Sequence, residues 1–510
     1  EHCRRNGDCK ACLSGDRPIV AREIAVMDFV TPEYYYWFLP VVFLATFTIG
    51  DKKRRRQVGI LLVSSYVFFW FASGWHMLLL LTSTLVDWNA AKRIFATDDA
   101  TIRKRWLIGS LVINLGLLAV FKYLDFLIET WNWASLRVTG APELDTLGLL
   151  LPVGISFYTF QTMSYTIDVY RKKNDPYEDF LSFACYAAFF PQLVAGPIVR
   201  SQHFRKEIEN VLSPSSARIR LGLTLIVYGL AKKLIIADNV AIHVNSIFDG
   251  SAPLDNLGLV WWGALAFGIQ IYCDFSAYTD IAIGSAHLFG IRLPENFDSP
   301  YAARSPQDFW KRWHISLSTW LRDYLYIPLG GSRHGPRVML MALMATMLLG
   351  GLWHGAAWNF VLWGLIHGLM LIAHRLLKNV KPVVLFFDRL PKLAGICGWA
   401  TTQYFVFMTW LVFRVEDTGM LIRSLKTYVG IGAHWDRTEM LESLPEIKYL
   451  TMLIALLFLV GHLISWKIGG LKKWISEQNA LVWGLSVGLL LTLTFHLRPA
   501  ETVDFIYFRF

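Results

Sequence analysis

The chain has 510 residues, of which 54% are hydrophobic and only 17% are charged. Soluble domains carry about 25% charged residues, and a soluble protein this apolar would expose large sticky patches, so the composition excludes an ordinary soluble protein. The net charge of +10 does not indicate nucleic-acid binding, because the basic residues cluster in short segments between apolar stretches, as in membrane proteins with a positive-inside bias.

Residues 1–26 are polar, unlike the sequence that follows, and they lack the apolar stretch of a signal peptide. One hypothesis is that this N-terminal extension is not native and that Met27 is the biological start. Cys9 and Cys12 form a C-x-x-C pair near His2 and Cys3. A single pair of this kind is a weak metal signal, so we predict no metal site.

Residues 27–150 are predicted to form the N-terminal transmembrane helices. A spanning helix needs about 20 apolar residues, and we place spans near residues 35–50, 58–71, 75–91 and 106–128. The basic segment at residues 51–56 marks the cytoplasmic side, so the N-terminus is expected outside. Residues 129–146 are predicted to be an outside loop.

Residues 151–378 contain the candidate catalytic core. The apolar segment 180–199 is interrupted by Pro191, Gly196 and Pro197. Proline removes helical hydrogen bonds, and broken backbone at membrane depth needs cover from protein or a watery cavity, so we predict a re-entrant element. Residues 221–236 should cross outward, followed by a loop at 238–256, and residues 257–290 form one or two passes.

A cytoplasmic amphipathic helix is predicted from Ser305 to about residue 328. Ser305, Pro306 and Asp308 have the pattern of a helix start with a capping box, and such a helix lies in or beneath the headgroup region. His314 falls on its apolar face, where it is either a hydrogen-bonded core histidine or a functional group. On the other face, Lys311 and Arg312 could bind phosphates of a carrier or lipid, or could only serve membrane electrostatics.

His354 lies in the apolar segment GGLWHG at residues 350–355. An ionisable residue within the membrane is a functional candidate by default, and a buried imidazole stays neutral, as a general base must be. His367 and His374, on the next predicted helix, are interpreted as packing residues. We predict neither a metal site nor a serine triad, because the sequence has no H-E-x-x-H motif and no nucleophile elbow.

Residues 379–510 are predicted to be C-terminal transmembrane helices, near 393–413, 450–466 and 481–497. The whole chain is thus expected to be an all-α polytopic membrane protein with about 11–13 membrane helices, including re-entrant segments. The C-terminus is expected outside. It ends in the aromatic motif FIYFRF, residues 505–510, which is either an interface anchor or a functional tail.

Several long motifs occur in order and resemble the membrane-bound O-acyltransferase family, with the best match to its bacterial alginate and polysaccharide O-acetyltransferase branch and a relation to the teichoic acid D-alanyltransferase. The motifs lie at residues 151–171, 189–200, 274–284, 293–301, 308–331 and 351–368.

The resemblance implies a central tunnel in which a thioester-bound acyl group enters from the cytoplasm and leaves outside. It also implies that His354 is the essential intramembrane histidine and His314 the second functional position. Tyr507 is hypothesised to receive the acyl group as an ester and to hand it on. Candidate residues for the tunnel wall or substrate binding are Asp274, Tyr278, Asp280, Trp353 and Asn359. For Asp274, Tyr278 and Asp280 the alternative is that they form only hydrogen bonds between packed helices.

The expected function is O-acetylation of an extracytoplasmic polysaccharide of the alginate, cellulose or peptidoglycan type, from the bacterial cytoplasmic (inner) membrane. The donor substrate is expected to be acetyl-CoA or an acyl carrier thioester, with no bound cofactor. The expected partners are membrane lipid and an extracytoplasmic acetyltransferase resembling SGNH hydrolases. The alternatives are D-alanyl or lipid O-acyl transfer by the same fold, or a transporter whose buried histidines relay protons.

Overall fold

The computed structural model describes residues 27–138, 140, 142–250, 252–500 and 502–508. The predictions for residues 1–26, including the weak metal signal at Cys9 and Cys12, lie outside the described residues. So do the last two residues of the C-terminal motif.

The described residues are largely helical, and extended pairing among them is limited to one bridge between Asn256 and His434. Eight helical stretches in this part of the chain are long and apolar enough to cross a membrane. This confirms the predicted all-α polytopic membrane protein. The stretches are fewer than the predicted 11–13 membrane helices, because Arg54–Phe95 contains two predicted spans in one stretch and because some predicted segments are shorter helices, such as Tyr34–Thr48.

After the first predicted span, the helical stretches of the N-terminal part extend further than predicted. The outside loop predicted from residue 129 is instead helical as far as Val138, because a π-helical turn, Ala119–Tyr123, joins two helices without a break. Asn132 on this extension exchanges hydrogen bonds with the backbone of Leu144 in the segment that follows. The helices are α1 (Leu39–Thr48), α2 (Arg54–Ser73), α3 (Met77–Phe95), α4 (Ala100–Leu118) and α5 (Leu124–Val138).

The central part of the chain contains the predicted broken element. Helix α7 (Phe180–Ala188) is followed by a four-residue helix, α8 (Phe190–Leu193), and then by non-helical chain. Residues 182–199 are all buried, so protein covers the broken backbone, as expected for a re-entrant element. The neighbouring helices are α6 (Ile155–Tyr170), α9 (Ser201–Ile208) and α10 (Ser216–Ala231).

The loop predicted at residues 238–256 is helical over its first eleven residues. After another π-helical turn, Lys232–Ala237, the chain continues as α11 (Asp238–Phe248), since Val240, Val244 and Ile247 recur at helical spacing and are buried. The undecided segment 257–290 is one continuous helix, α12 (Leu257–Leu288), whose 32 residues are mostly buried.

The helix predicted from Ser305 is broken at His314. The start is confirmed, since Ser305 Oγ accepts a hydrogen bond from the backbone N–H of Asp308. However, α13 (Pro306–Arg312) ends early and α14 (Ile315–Leu321) begins after His314, whose φ of 44° lies in the left-handed region. A further π-helical turn, Arg322–Tyr326, follows.

Asn296 provides the physical reason for this break. Its carbonyl accepts from Ile315 N–H at 2.9 Å, and its side-chain Oδ1 accepts from Ser316 N–H and Oγ–H at 3.1 and 2.9 Å. These bonds replace the helical ones that the turn gives up. No glycine or proline stands at the break, so the local sequence carries no signal for it.

A tight helical hairpin and the C-terminal helices complete the fold. In the hairpin, a Cβ added at Gly351 would lie 2.2 Å from the carbonyl oxygen of Phe360, so the two helices approach closely because glycine is there. The remaining helices are α15 (Gly335–His354), α16 (Trp358–Leu377), α17 (Lys381–Arg389), α18 (Pro391–Arg414), α19 (Thr418–Tyr428), α20 (Arg437–Glu442), α21 (Lys448–Ile468), α22 (Leu471–Glu477) and α23 (Ala480–Leu497).

Candidate active site

His354 is the last residue of α15 and is 2% exposed. The chain turns directly after it, because Gly355 is extended and a Cβ there would collide with the ring of Phe360 at 2.0 Å. The imidazole lies against Trp363 and Phe413, with ring centroids 5.0 and 5.6 Å away. The glycine-rich segment therefore fixes one buried histidine at a helix end inside an aromatic shell.

The C-terminal segment, residues 502–508, which we call the tail, brings Tyr507 to this histidine. The Tyr507 hydroxyl oxygen lies 3.1 Å from His354 Nδ1, a hydrogen-bond distance. In the tautomer protonated at Nε2, Tyr507 O–H donates to Nδ1, which is the arrangement required for a base that takes the hydroxyl proton. Burial raises the pKa of Tyr507 above its usual value, so the hydroxyl stays protonated until a base removes the proton.

His314 is fully buried next to this pair. Its ring centroid is 6.4 Å from that of His354, although the two residues are 40 positions apart in the chain. Within the part of the chain that the structure describes, neither ring nitrogen of His314 has a hydrogen-bond partner. Burial lowers the pKa of His314 to about 3, so its imidazole is neutral.

Aromatic side chains fill the space between the two histidines and the tyrosine. Phe275 touches both sides of the cluster, with centroids 4.7 Å from His314 and 4.8 Å from Tyr507. Trp353, predicted as a tunnel or substrate residue, is 5.8 Å from His314 between centroids. The surroundings of the two histidines are therefore largely apolar, and water competes little with hydrogen bonds made there.

Two of the predicted wall residues contact the C-terminal segment directly. Asp274 Oδ2 accepts from the backbone N–H of Ile506 at 2.7 Å. Tyr278 stacks on Phe505 with centroids 4.1 Å apart, and its hydroxyl donates to Asp28 Oδ2 at 3.0 Å. Both residues thus lie beside the candidate site, where they hold the tail.

The structure does not bring the other predicted residues to the histidines. Asp280 forms ion pairs with Lys232 and Lys472 at 2.6 and 2.8 Å, and Asn359 donates to the carbonyl of Val412 at 3.3 Å. These contacts tie helices together.

The two predicted phosphate-binding residues also lie apart from the cluster. Arg312 is held by Asp308 and Asp298 at 2.9 and 3.6 Å. Lys311 is exposed. His367, interpreted as a packing residue, is fully buried and bonds Thr409 at 3.1 Å.

Lys122 is a contact of the site that sequence reasoning missed. It lies on the π-helical turn between α4 and α5, and its ammonium donates to the carbonyls of Trp353 and His354 at 2.6 and 3.2 Å. The adjacent Tyr123 hydroxyl donates to the carbonyl of Leu352 at 2.8 Å. The last carbonyls of a helix have no partner within it, so these side chains fix the end of α15 that carries His354. A lysine inside an apolar span is itself a signal of function.

Replacing Lys122 with methionine is expected to lower kcat for acyl transfer by about 10²-fold, with a smaller change in KM. The side-chain volume is kept, but α15 loses the donor that fixes its end, and a misplacement of about 1 Å can cost about 10²-fold in rate. Lys92→Met is the matched control, since Lys92 also donates to a backbone carbonyl, that of Glu178. Equal kcat values for the two variants would contradict the positioning role.

Comparisons with known proteins identify the family. The family profile described as "MBOAT, membrane-bound O-acyltransferase family" matches residues 171–414. A peptidoglycan O-acetyltransferase of Helicobacter pylori is 32% identical, with 96% of this chain and 98% of that protein covered. A probable alginate O-acetylase of Pseudomonas aeruginosa is 36% identical over 85% of this chain and 81% of its own length. A teichoic acid D-alanyltransferase of Bacillus subtilis is 28% identical over 50% of this chain and 66% of its own length.

The matched region includes both histidines, the glycine hairpin and Asp274. The Helicobacter relative extends the likeness over almost the whole chain. A buried histidine within hydrogen-bond reach of a hydroxyl is a base–nucleophile pair suited to acyl transfer. The chain belongs to the membrane-bound O-acyltransferase family and is a multi-pass membrane O-acyltransferase.

Proposed function

We propose that the protein moves an acetyl group from a cytoplasmic thioester donor through a tunnel to Tyr507, from which the group passes to an extracytoplasmic polysaccharide. The observation that carries this proposal is the 3.1 Å contact between the Tyr507 hydroxyl and His354 Nδ1. A neutral imidazole that accepts a hydrogen bond from this hydroxyl is also placed to take its proton. The two acetyltransferase relatives are named for alginate and for peptidoglycan, so polymers of this kind are the acceptors to test.

In the first step, Tyr507 Oη attacks the thioester carbonyl. The bond from Oη to the acyl carbon forms and the carbon–sulfur bond breaks, while His354 takes the hydroxyl proton and passes it to the leaving thiolate. The products are a tyrosyl ester and a free thiol. General-base catalysis of this kind contributes about 10²–10⁴-fold in rate.

In the second step, an acceptor hydroxyl attacks the tyrosyl ester. The bond from Oη to the acyl carbon breaks, and the proton of the attacking hydroxyl returns to Tyr507 through His354. Acetyl-CoA or an acyl carrier thioester serves as the donor, and no bound cofactor is required for either step.

His314 is proposed to stabilise the oxyanion that forms in both steps. It lies 6.4 Å from His354 between centroids and lacks a hydrogen-bond partner among the described residues. A neutral imidazole has one N–H to donate, and a donor placed where charge develops is worth most in a site that excludes water.

The protein is proposed to lie in the bacterial inner membrane with its C-terminus outside, which the basic segments between the apolar stretches support. Lys311, exposed near His314 in sequence, is proposed to meet the donor phosphates from the cytoplasm together with Arg312. The polysaccharide is proposed to receive the group through a separate extracytoplasmic acetyltransferase resembling SGNH hydrolases. Membrane lipid surrounds the exposed apolar faces.

The test is to detect the ester itself. Proteoliposomes of the full chain are incubated with isotope-labelled acetyl-CoA, quenched, and digested for mass analysis of the C-terminal peptide. We expect one labelled acetyl group on Tyr507, released by hydroxylamine. Turnover of the donor without label on this peptide would refute the relay. A parallel incubation uses a labelled D-alanyl thioester. If only that donor labelled the peptide, the transferred group would be D-alanyl and not acetyl.

A further inference from the structure

Two consecutive buried lysines on the π-helical turn Lys232–Ala237 pair with different aspartates of α12. Lys232 pairs with Asp280 at 2.6 Å, while Lys233 lies 3.0 Å from Asp274 and 2.8 Å from Asp238. Buried charges are costly unless they are paired. The second set, Lys233 with its two aspartates, also contacts the C-terminal segment.

The Lys233 set binds the backbone of the C-terminal segment. Lys233 Nζ donates to the carbonyl of Val503 at 2.6 Å, and Asp274 Oδ2 accepts from the N–H of Ile506 at 2.7 Å. Lys233 thus forms ion pairs with two aspartates and donates a hydrogen bond to the Val503 carbonyl. The tail thus completes a charge cluster that is only 1–2% exposed.

The same segment inserts a ring beside this cluster. Phe505 is fully buried and stacks on Tyr278, with centroids 4.1 Å apart and planes inclined by 28°. Ile506 is 3% exposed, whereas Asp504 between the two backbone contacts faces out. Backbone hydrogen bonds supply affinity and a side-chain pocket supplies selectivity, as in other sites that bind extended peptides.

We propose that Lys233, Asp274 and Tyr278 form a peptide-binding site that docks the C-terminal segment and sets whether Tyr507 reaches His354. Its ligand is a short extended peptide with a backbone carbonyl and N–H three residues apart and an aromatic ring between them. The three residues are positioning residues, because they act on Tyr507 through the tail backbone. The functional consequence rests on the acyl relay proposed for Tyr507, but the binding site itself does not.

Docking of the tail is measured by how fast a thiol placed in it reacts with maleimide. In the full chain, Ile506→Cys places a thiol at the buried position, and its maleimide labelling rate is read on the C-terminal peptide by mass spectrometry. We expect slow labelling in this parent and an increase of at least about tenfold when Asp274→Ala is added. Cys185, which is fully buried on α7, reports loss of the fold in the same digest.

Asp280→Ala is the matched control, because it removes the same group from the same helix and takes the carboxylate away from a neighbouring buried lysine, Lys232, yet no described contact joins Asp280 to the C-terminal segment. We expect less than a twofold change in labelling of the introduced thiol. Phe505→Ala, which alters only the tail, should also raise labelling while Cys185 stays protected. The proposal is overturned if Asp274→Ala labels no faster than Asp280→Ala, or if Phe505→Ala labels no faster than the parent.

No acyl donor is present in this experiment. Its failure therefore rejects the peptide-binding site and leaves the acyl relay standing, whereas an absent tyrosyl ester with faster labelling in Asp274→Ala rejects the relay and keeps the site.

Discussion

Replacing His354 with glutamine is expected to lower kcat for acyl transfer by about 10³–10⁴-fold, near the upper end of what general-base catalysis supplies. Glutamine nearly fills the volume of the imidazole and can still hydrogen-bond Tyr507, but it cannot take a proton. The rate is measured as thiol release from acetyl-CoA in proteoliposomes.

His367→Gln is the matched control for this experiment. His367 is also fully buried on the same helical hairpin, but its contact is with Thr409. We expect its rate to stay within a few-fold of the parent. If the two variants were equally active, His354 would not be the base, and a proton-relay role in a transporter would gain support.

Tyr507→Phe is expected to reduce polymer acetylation to background. The change removes a single oxygen and keeps the ring, whose centroid lies 4.8 Å from that of Phe275. The tail therefore remains docked while the proposed nucleophile is lost. An acyl-enzyme intermediate also predicts ping-pong kinetics and a burst of thiol release. Both features should disappear in the variant.

The control for Tyr507→Phe is Tyr428→Phe. Tyr428 is buried on α19, and its hydroxyl donates only to the carbonyl of Tyr404 among the hydrogen bonds described. We expect full acetylation in that variant. Undiminished transfer by Tyr507→Phe would mean that the acceptor hydroxyl attacks the thioester directly, with His354 still as its base.

The part of the site that could be predicted from sequence is the part encoded locally. His354 sits among glycines in an apolar stretch, and glycine at a close helix contact together with a buried ionisable group is a strong pattern. The motif at residues 505–510 stands out from the sequence by its aromatic composition. In both cases a few adjacent residues carry the signal.

The rest depends on contacts between distant segments. The break at His314 is imposed by Asn296, and no feature of the 305–328 segment itself predicts it. Asp280 resembled a tunnel residue by sequence but pairs with Lys472, 192 positions away. Lys122 and Lys233 do carry a local signal, a charge within an apolar span, but the partners of Lys122 are 231 and 232 positions further along the chain.

The π-helical turns have a consequence for how such a protein can change over evolution. A π-helical turn contains one residue more than the α-helical turn it replaces, and one residue corresponds to about 100° of rotation on an α-helix. Deleting one residue from Ala119–Tyr123 or Lys232–Ala237 would rotate the helix that follows and turn Lys122 or Lys233 away from its partners. The direction of each lysine side chain thus depends on the number of residues in the turn as well as on which residues they are. A single-codon deletion at either turn would therefore do more damage than most substitutions there.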